Sequence, residues 1–224
     1  RFQPRPKSGY LHRELGLAPG AELAGTIGQI CLRKGQDVLV QTATKLADEV
    51  AHLHWLIVGE RWSDKPESRQ FEADLRSAAS GSLAGRLHFL GYRKDVEQIL
   101  NELCLLVHPA RQEPLGRVLL EAAASGVPVV ATDVGGTGEI FPPQSHAARL
   151  VPPEDPGAMA ACSPEGRGTI WTRPTATKPT RGHGVRAARS TPFPAAPIPS
   201  AALIARRPTA VTVRMAHGCT APNG

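Results

Sequence analysis

A chain of 224 residues with 41% apolar content can bury one core, or one core and an extension, but not three domains. Its formal charge of +6 would direct the whole protein at a polyanion, yet residues 1–161 hold 17 basic and 19 acidic side chains, while residues 162–224 hold nine basic ones and a single acid, Glu165. No apolar run reaches the ~18–20 residues that span a bilayer and no charged start leads into an apolar signal region, so nothing in the sequence marks export or membrane insertion.

The first 20 residues read as an extended lead-in or linker, with a short helical patch at Tyr10–Leu17 closed by Pro19-Gly20. From there apolar runs and helix-like stretches alternate. The predicted strands are Ala24–Ile30, His54–Glu60, Arg86–Leu90, Leu103–His108, Val127–Thr132 and Ala148–Val151, nearly continuous in apolar residues, as a sheet covered on both faces requires. The predicted helices are Asp37–Leu53, Gln70–Ser80, Val96–Leu100 and Gly116–Ser125; the first carries Val38, Ala43, Leu46, Ala47 and Val50 at helical spacing. Strand and helix in repeated alternation imply parallel pairing, hence a doubly wound, Rossmann-like α/β domain over residues 21–161. Residues 162–224 differ: nine prolines, scattered arginines and no sustained period predict a disordered tail. The abrupt change in composition is read as a shifted frame or a wrongly joined gene model. Cys31, Cys104, Cys162 and Cys219 lack metal-ligand spacing, and the first two lie in strand-like apolar runs, where a thiol serves as a small hydrophobe.

In an open α/β sheet, ligands bind beyond the carboxyl ends of the strands, where helix N-termini point amides at anions. Four segments fall at such ends. Gly28-Gln29-Ile30-Cys31-Leu32-Arg33-Lys34-Gly35 places two cations at a helix entrance, a phosphate clamp or a solvated charged loop. In His108-Pro109-Ala110-Arg111-Gln112-Glu113-Pro114-Leu115-Gly116-Arg117, Pro114 suits a first helical turn, which puts Glu113 at or just before the helix start. Glu121 then lies among Val118, Leu119, Leu120, Ala122, Ala123 and Ala124, on a helix that reads as apolar nearly all round. A carboxylate there needs ligand hydroxyls or a buried ion pair as partner, or else it stands at the rim. Gly135-Gly136 can approach a phosphate or sugar closely, and Tyr92 either flanks a base or is an ordinary loop aromatic. His108, at a strand end, is expected to support its loop rather than move protons.

Taken in order, Lys34-Gly35, Val58-Gly59, Phe89-Leu90-Gly91, His108-Pro109, Glu113 and Glu121 eight positions apart, Gly126-Val127-Pro128-Val129-Val130-Ala131-Thr132, Gly135-Gly136 and Val151-Pro152-Pro153 resemble the C-terminal, donor-binding domain of the family 4 (group 1) retaining glycosyltransferases of GT-B fold. The resemblance covers about 130 residues, Gly28 to Asp155, and implies a nucleoside-diphosphate-sugar donor and a glycan or lipid-linked acceptor. It implies catalytic roles for Lys34, on the donor diphosphate, and Glu113, facing the donor sugar. Donor binding would fall to Gly28, Gln29, Arg33, Leu115, Gly116, Arg117 and Glu121, the last on the ribose hydroxyls. The family needs no metal and no cofactor, because cationic side chains and helix amides stabilise the departing diphosphate.

The sequence departs from that pattern in three places. Gln29 stands where many members carry a second phosphate-binding arginine, the family's N-terminal acceptor domain is expected to be missing, and helical sequence stops near Ala161. The chain is therefore expected to be a fragment, inactive alone, of a cytoplasmic enzyme with peripheral association at the inner face of the membrane. Two alternatives stand beside it: another GT-B activity, such as a sugar phosphorylase or a nucleotide-sugar epimerase, and a nucleotide- or nucleic-acid-binding module using the basic tail. The tail holds only Trp171 and Phe193 for base stacking, so no nucleic-acid partner is expected.

Overall fold

The computed structural model describes residues 1–143 and 145–162; what the sequence predicts for residues 163–224 lies outside the described residues. Six strands, β1 (Glu22–Ile27), β2 (Leu53–Val58), β3 (Leu87–Gly91), β4 (Leu105–His108), β5 (Val129–Thr132) and β6 (Ala148–Val151), form one sheet in the order β3-β2-β1-β4-β5-β6. Every pairing is parallel. Each step between strands passes through α2 (Gln36–Lys45), α3 (Pro66–Ala78), α4 (Val96–Glu102), α5 (Arg117–Ala124) or α6 (Thr137–Ile140), with α1 (Tyr10–Leu15) before the sheet and α7 (Pro156–Ala161) after it.

Alternate strand residues feed two apolar layers. Leu53, Trp55 and Ile57 of β2 pack on one side with Val38, Leu39, Ala43, Leu75 and Met159, whereas Leu56 and Val58 pack on the other with Leu11, Ile99, Leu100, Leu119 and Ala122. The period of two along a strand thus produces a sheet covered on both faces, as the unbroken apolar runs predict. Among the described residues no helix is long and apolar enough to cross a membrane.

Element bounds differ where packing rather than period decides them. Strand β1 starts at Glu22 and ends at Ile27; Ile30, predicted within it, is buried in the loop instead. Helix α2 stops at Lys45, eight residues short of the prediction. Leu46, Ala47 and Val50 stay buried, but the chain passes them in turns closed by Ala47 N–H on Thr44 O and Glu49 N–H on Leu46 O, so that it can reverse into β2. Helix α3 begins at Pro66, four residues early, because proline fits the first turn, where its missing N–H has no helical partner. Cys31 and Cys104 lie just outside the strands: Cys31 precedes a 3₁₀ turn at Leu32–Lys34, and Cys104 joins α4 to β4 with its thiol pushed up to about 12, chiefly by burial.

The lead-in is fastened to the domain at a buried acid, Glu102, and at two polar side chains of the same region, Asn101 and Asp95. Glu102, at the end of α4, accepts hydrogen bonds from Ser8 N–H and Ser8 Oγ, both at 2.7 Å, and from Gly9 N–H at 3.0 Å. Asn101 Oδ1 accepts the Arg5 N–H at 2.8 Å, and Tyr10 donates its hydroxyl to Asp95 at 2.9 Å. The Ser8 and Gly9 bonds offset the cost of burying Glu102, and together with the other two they fasten the segment that seats Leu11 in the core.

Candidate functional site

Strand order reverses between β1 and β4, whose chain neighbours lie on opposite sides of the sheet, and beyond the carboxyl ends of the strands on the β1–β2–β3 side a cavity of about 590 Å³ opens. Ile27, Gly28 and Gln29 enter it from the end of β1, Val58 and Gly59 from the end of β2, Tyr92 and Arg93 from the end of β3, and Arg117 and Glu121 from α5. Of the residues that the resemblance singles out, Gly28, Gln29, Arg117 and Glu121 meet here.

Glu121 does not lie in an apolar surround, as the residues beside it in sequence predict. Only Leu119 and Ala122 of α5 are buried, Leu120 is exposed, and Arg117 Nε stands 3.4 Å from Glu121 Oε1. Burial nonetheless pushes the Glu121 carboxyl above its ordinary value, against the attraction of Arg117. A partly desolvated acceptor facing a cavity is suited to hydroxyl donors.

Lys34 and Glu113 form a second cluster beside the first. The side chain of Lys34 passes along Gly28, and its ammonium is ion-paired with Glu113 Oε2; the two side chains are 16% and 6% exposed. The same oxygen accepts His108 Nε2–H at 2.7 Å, while Oε1 accepts the Gly116 N–H at 2.9 Å. The His108 bond, with Lys34 and the Gly116 amide, holds the Glu113 carboxyl well below the usual carboxylate range in spite of burial. An ionised carboxylate only accepts, so Nε2 of His108 carries the hydrogen. His108 thus supports the loop through Glu113.

Two local expectations are corrected here. Pro114 is not in the first helical turn: α5 begins at Arg117, because Gly116 takes a left-handed conformation (φ 66°) as its cap, with its amide bound by Glu113. Glu113 therefore stands four residues before the helix, and the Gly116 amide is occupied within the protein. Gly135 leaves room not for a phosphate but for the Glu113 backbone: at φ 54°, a Cβ on it would lie 2.2 Å from Glu113 O, and the neighbouring Gly136 N–H donates to that same oxygen. Arg33 is exposed, and Leu115 projects into solvent before α5.

Trp62 is a cavity residue that the sequence reading missed. It is 72% exposed and Tyr92 60% exposed, and both line the cavity from loops that follow adjacent strands. An aromatic residue three positions beyond Gly59, just past a strand's carboxyl end, is the signal that could have found it. Arg111 was also missed; it joins Asp37, Glu154 and the Leu32 carbonyl in one network.

A doubly wound parallel sheet with a cavity at its switch point defines a ligand-binding, Rossmann-like α/β domain. The chain belongs to the group 1 glycosyl transferases: the family model described as "Glycosyl transferases group 1" matches residues 21–163. It is 33% identical over 152 residues to the lipopolysaccharide core biosynthesis mannosyltransferase LpsB of Rhizobium meliloti, covering 67% of this chain and 42% of that protein. It is 35% identical over 133 residues to the lipopolysaccharide glucosyltransferase WaaG of Escherichia coli, covering 58% and 33%. Among solved structures, Anabaena Alr3699/HepE in complex with UDP-glucose superposes with a TM-score of 0.62 at 27% identity, covering 71% of this chain and 42% of that one. The chain thus spans less than half the length of these relatives.

Proposed function

We propose that this chain is the donor-binding half of a glycosyltransferase that takes a sugar from a nucleoside diphosphate and passes it, with retention, to a glycan or lipid-linked acceptor. The observation that carries the reading is the convergence of Gly28, Gln29, Arg117 and Glu121 on one cavity at the switch point, with the Lys34–Glu113 pair against its edge. The HepE complexes with UDP and UDP-glucose support a nucleotide-sugar donor, and the named mannosyl- and glucosyltransferases support sugar transfer.

On this reading the ribose hydroxyls donate to Glu121. The diphosphate draws Lys34 away from Glu113, which His108 and the Gly116 amide continue to hold in place, facing the donor sugar. Lys34 and Arg117, with backbone amides near the start of α5, stabilise the charge that develops on the leaving diphosphate, the task a metal ion performs elsewhere. Arg33 and Leu115, both exposed in the free chain, would meet the donor's phosphate and its sugar. The acceptor would be met by that part of the relatives' length that this chain does not span. The whole enzyme would work in the cytoplasm, peripherally at the inner face of the membrane that carries its acceptor.

Titration calorimetry of the 224-residue chain with UDP, GDP and their glucose and mannose conjugates tests the assignment. Binding of at least one is expected, and Glu121→Ala should weaken it at least about tenfold, the equivalent of about 1.4 kcal/mol. Unchanged affinity in that variant would contradict the role given to Glu121.

A further inference from the structure

Lys34 sits on a short 3₁₀ turn, Leu32–Lys34, that has no side-chain cap of its own and is closed by two backbone bonds, Lys34 N–H to Cys31 O at 2.9 Å and Gly35 N–H to Leu32 O at 3.1 Å. What steadies it comes from the far side of the sheet's switch point. The Arg111 guanidinium donates to Leu32 O at 2.8 Å and, as a two-pronged fork, to both carboxylate oxygens of Asp37, each at 2.8 Å. The Arg111 backbone N–H donates to Arg33 O at 2.9 Å. Asp37 lies in the first turn of α2, directly after Gly35 and Gln36, so Arg111 ties the start of the turn to the helix that follows it.

The fourth partner is Glu154, whose Oε1 accepts from Arg111 Nε at 2.9 Å. Glu154 is the one non-glycine residue with positive φ among those described, at 59°, a conformation that a side chain disfavours and that persists when the surroundings hold it. Arg111 itself is not among the cavity-lining residues.

We infer that Arg111 is a positioning residue for donor binding: it does not meet the donor, but fixes the Leu32–Lys34 turn, and through it the point from which Lys34 reaches the diphosphate. This rests on the donor reading given above. A fork with five N–H donors is required, because Nε, Nη1 and Nη2 of one guanidinium serve Glu154, Leu32 O and both oxygens of Asp37 at once; a lysine ammonium supplies the charge without that geometry.

The test is a double-mutant cycle on the 224-residue chain, with affinity for UDP and GDP measured by calorimetry and thermal unfolding measured in parallel. In the otherwise unaltered chain Arg111→Lys should weaken binding about five- to tenfold, and in a Lys34→Ala background less than about twofold, since residues that act through one another are not additive. Its effect on the unfolding temperature should be the same in both backgrounds. Asp37→Asn, which removes one charge and keeps an acceptor, should follow the same pattern and serves if Arg111→Lys folds poorly. Equal losses of affinity in both backgrounds would overturn the inference, as would full affinity in both Arg111→Lys and Asp37→Asn or the absence of any effect of Lys34→Ala. In each of those cases the loss of affinity in Glu121→Ala would leave the donor reading standing. If the unaltered chain binds neither nucleotide, the donor reading fails and this inference with it.

Discussion

Replacing Gly35 by alanine is expected to destabilise the domain by about 3–5 kcal/mol, a large part of the roughly 5–15 kcal/mol that such a domain possesses. Gly35 has φ 68°, and a Cβ on it would lie 1.9 Å from the carbonyl oxygen of Pro109. Two costs add. A left-handed alanine loses about 1–2 kcal/mol, and the turn that carries Lys34 cannot stay against the end of β4 without a backbone shift. Gly16→Ala separates these terms, since Gly16 has φ 64° with nothing within 4 Å of the added methyl. Urea unfolding of the two variants should show Gly16→Ala losing only about 1–2 kcal/mol, the conformational part alone. Equal losses would mean that Pro109 yields and that the turn is not held as described.

The second large effect is expected from Glu113→Gln. The substitution leaves the half-buried Lys34 without its counter-charge and should cost about 3 kcal/mol near neutral pH, the lower range for breaking a buried pair. The pH dependence has a definite sign. The folded-state pKa of Glu113 is depressed, first by the His108 hydrogen bond and then by Lys34 and the Gly116 amide. Its stabilisation is therefore complete above the unfolded carboxylate value of about 4.3 and is lost as pH falls below it. The stability difference between the native chain and Glu113→Gln should be greatest above about pH 5 and should shrink steadily towards pH 3. A difference that stays constant from pH 7 to pH 3 would show that the charge on Glu113 contributes nothing to the fold.

The layers of this domain were legible because buried parallel strands leave a local mark. Val107 and Leu106 face opposite layers, yet both are apolar, and such runs recur at a spacing that only crossover helices explain. The end of α2 was not legible: Leu46, Ala47 and Val50 keep helical spacing and remain buried after the helix has stopped, so periodicity cannot mark the point of reversal. The start of α5 was hidden for a different reason. Gly116 caps the helix only because Glu113 captures its amide, a contact decided by where His108 and Lys34 bring that carboxylate. Arg33 and Lys34 could be singled out together from residue type and position after a strand, but the choice of Lys34, Glu113 and Glu121 rested on the family resemblance, and the apolar surround that drew attention to Glu121 is not found. Trp62 carried the same kind of signal, an aromatic just past the end of β2, whereas Arg111 did not, since its role depends on which carboxylate lies opposite its fork.

A nucleoside diphosphate is expected to occupy the cavity between the ends of β1, β2 and β3 and the start of α5. Amide chemical-shift mapping of the ¹⁵N-labelled chain during titration with UDP or GDP tests it most directly. The largest shifts are expected at Gly28, Gln29, Gly59, Tyr92, Arg117 and Glu121, which line the cavity, with smaller ones at Lys34 and Glu113. Shifts concentrated instead around the stacked His54–His88 pair on β2 and β3, with those cavity amides unmoved, would contradict the claim.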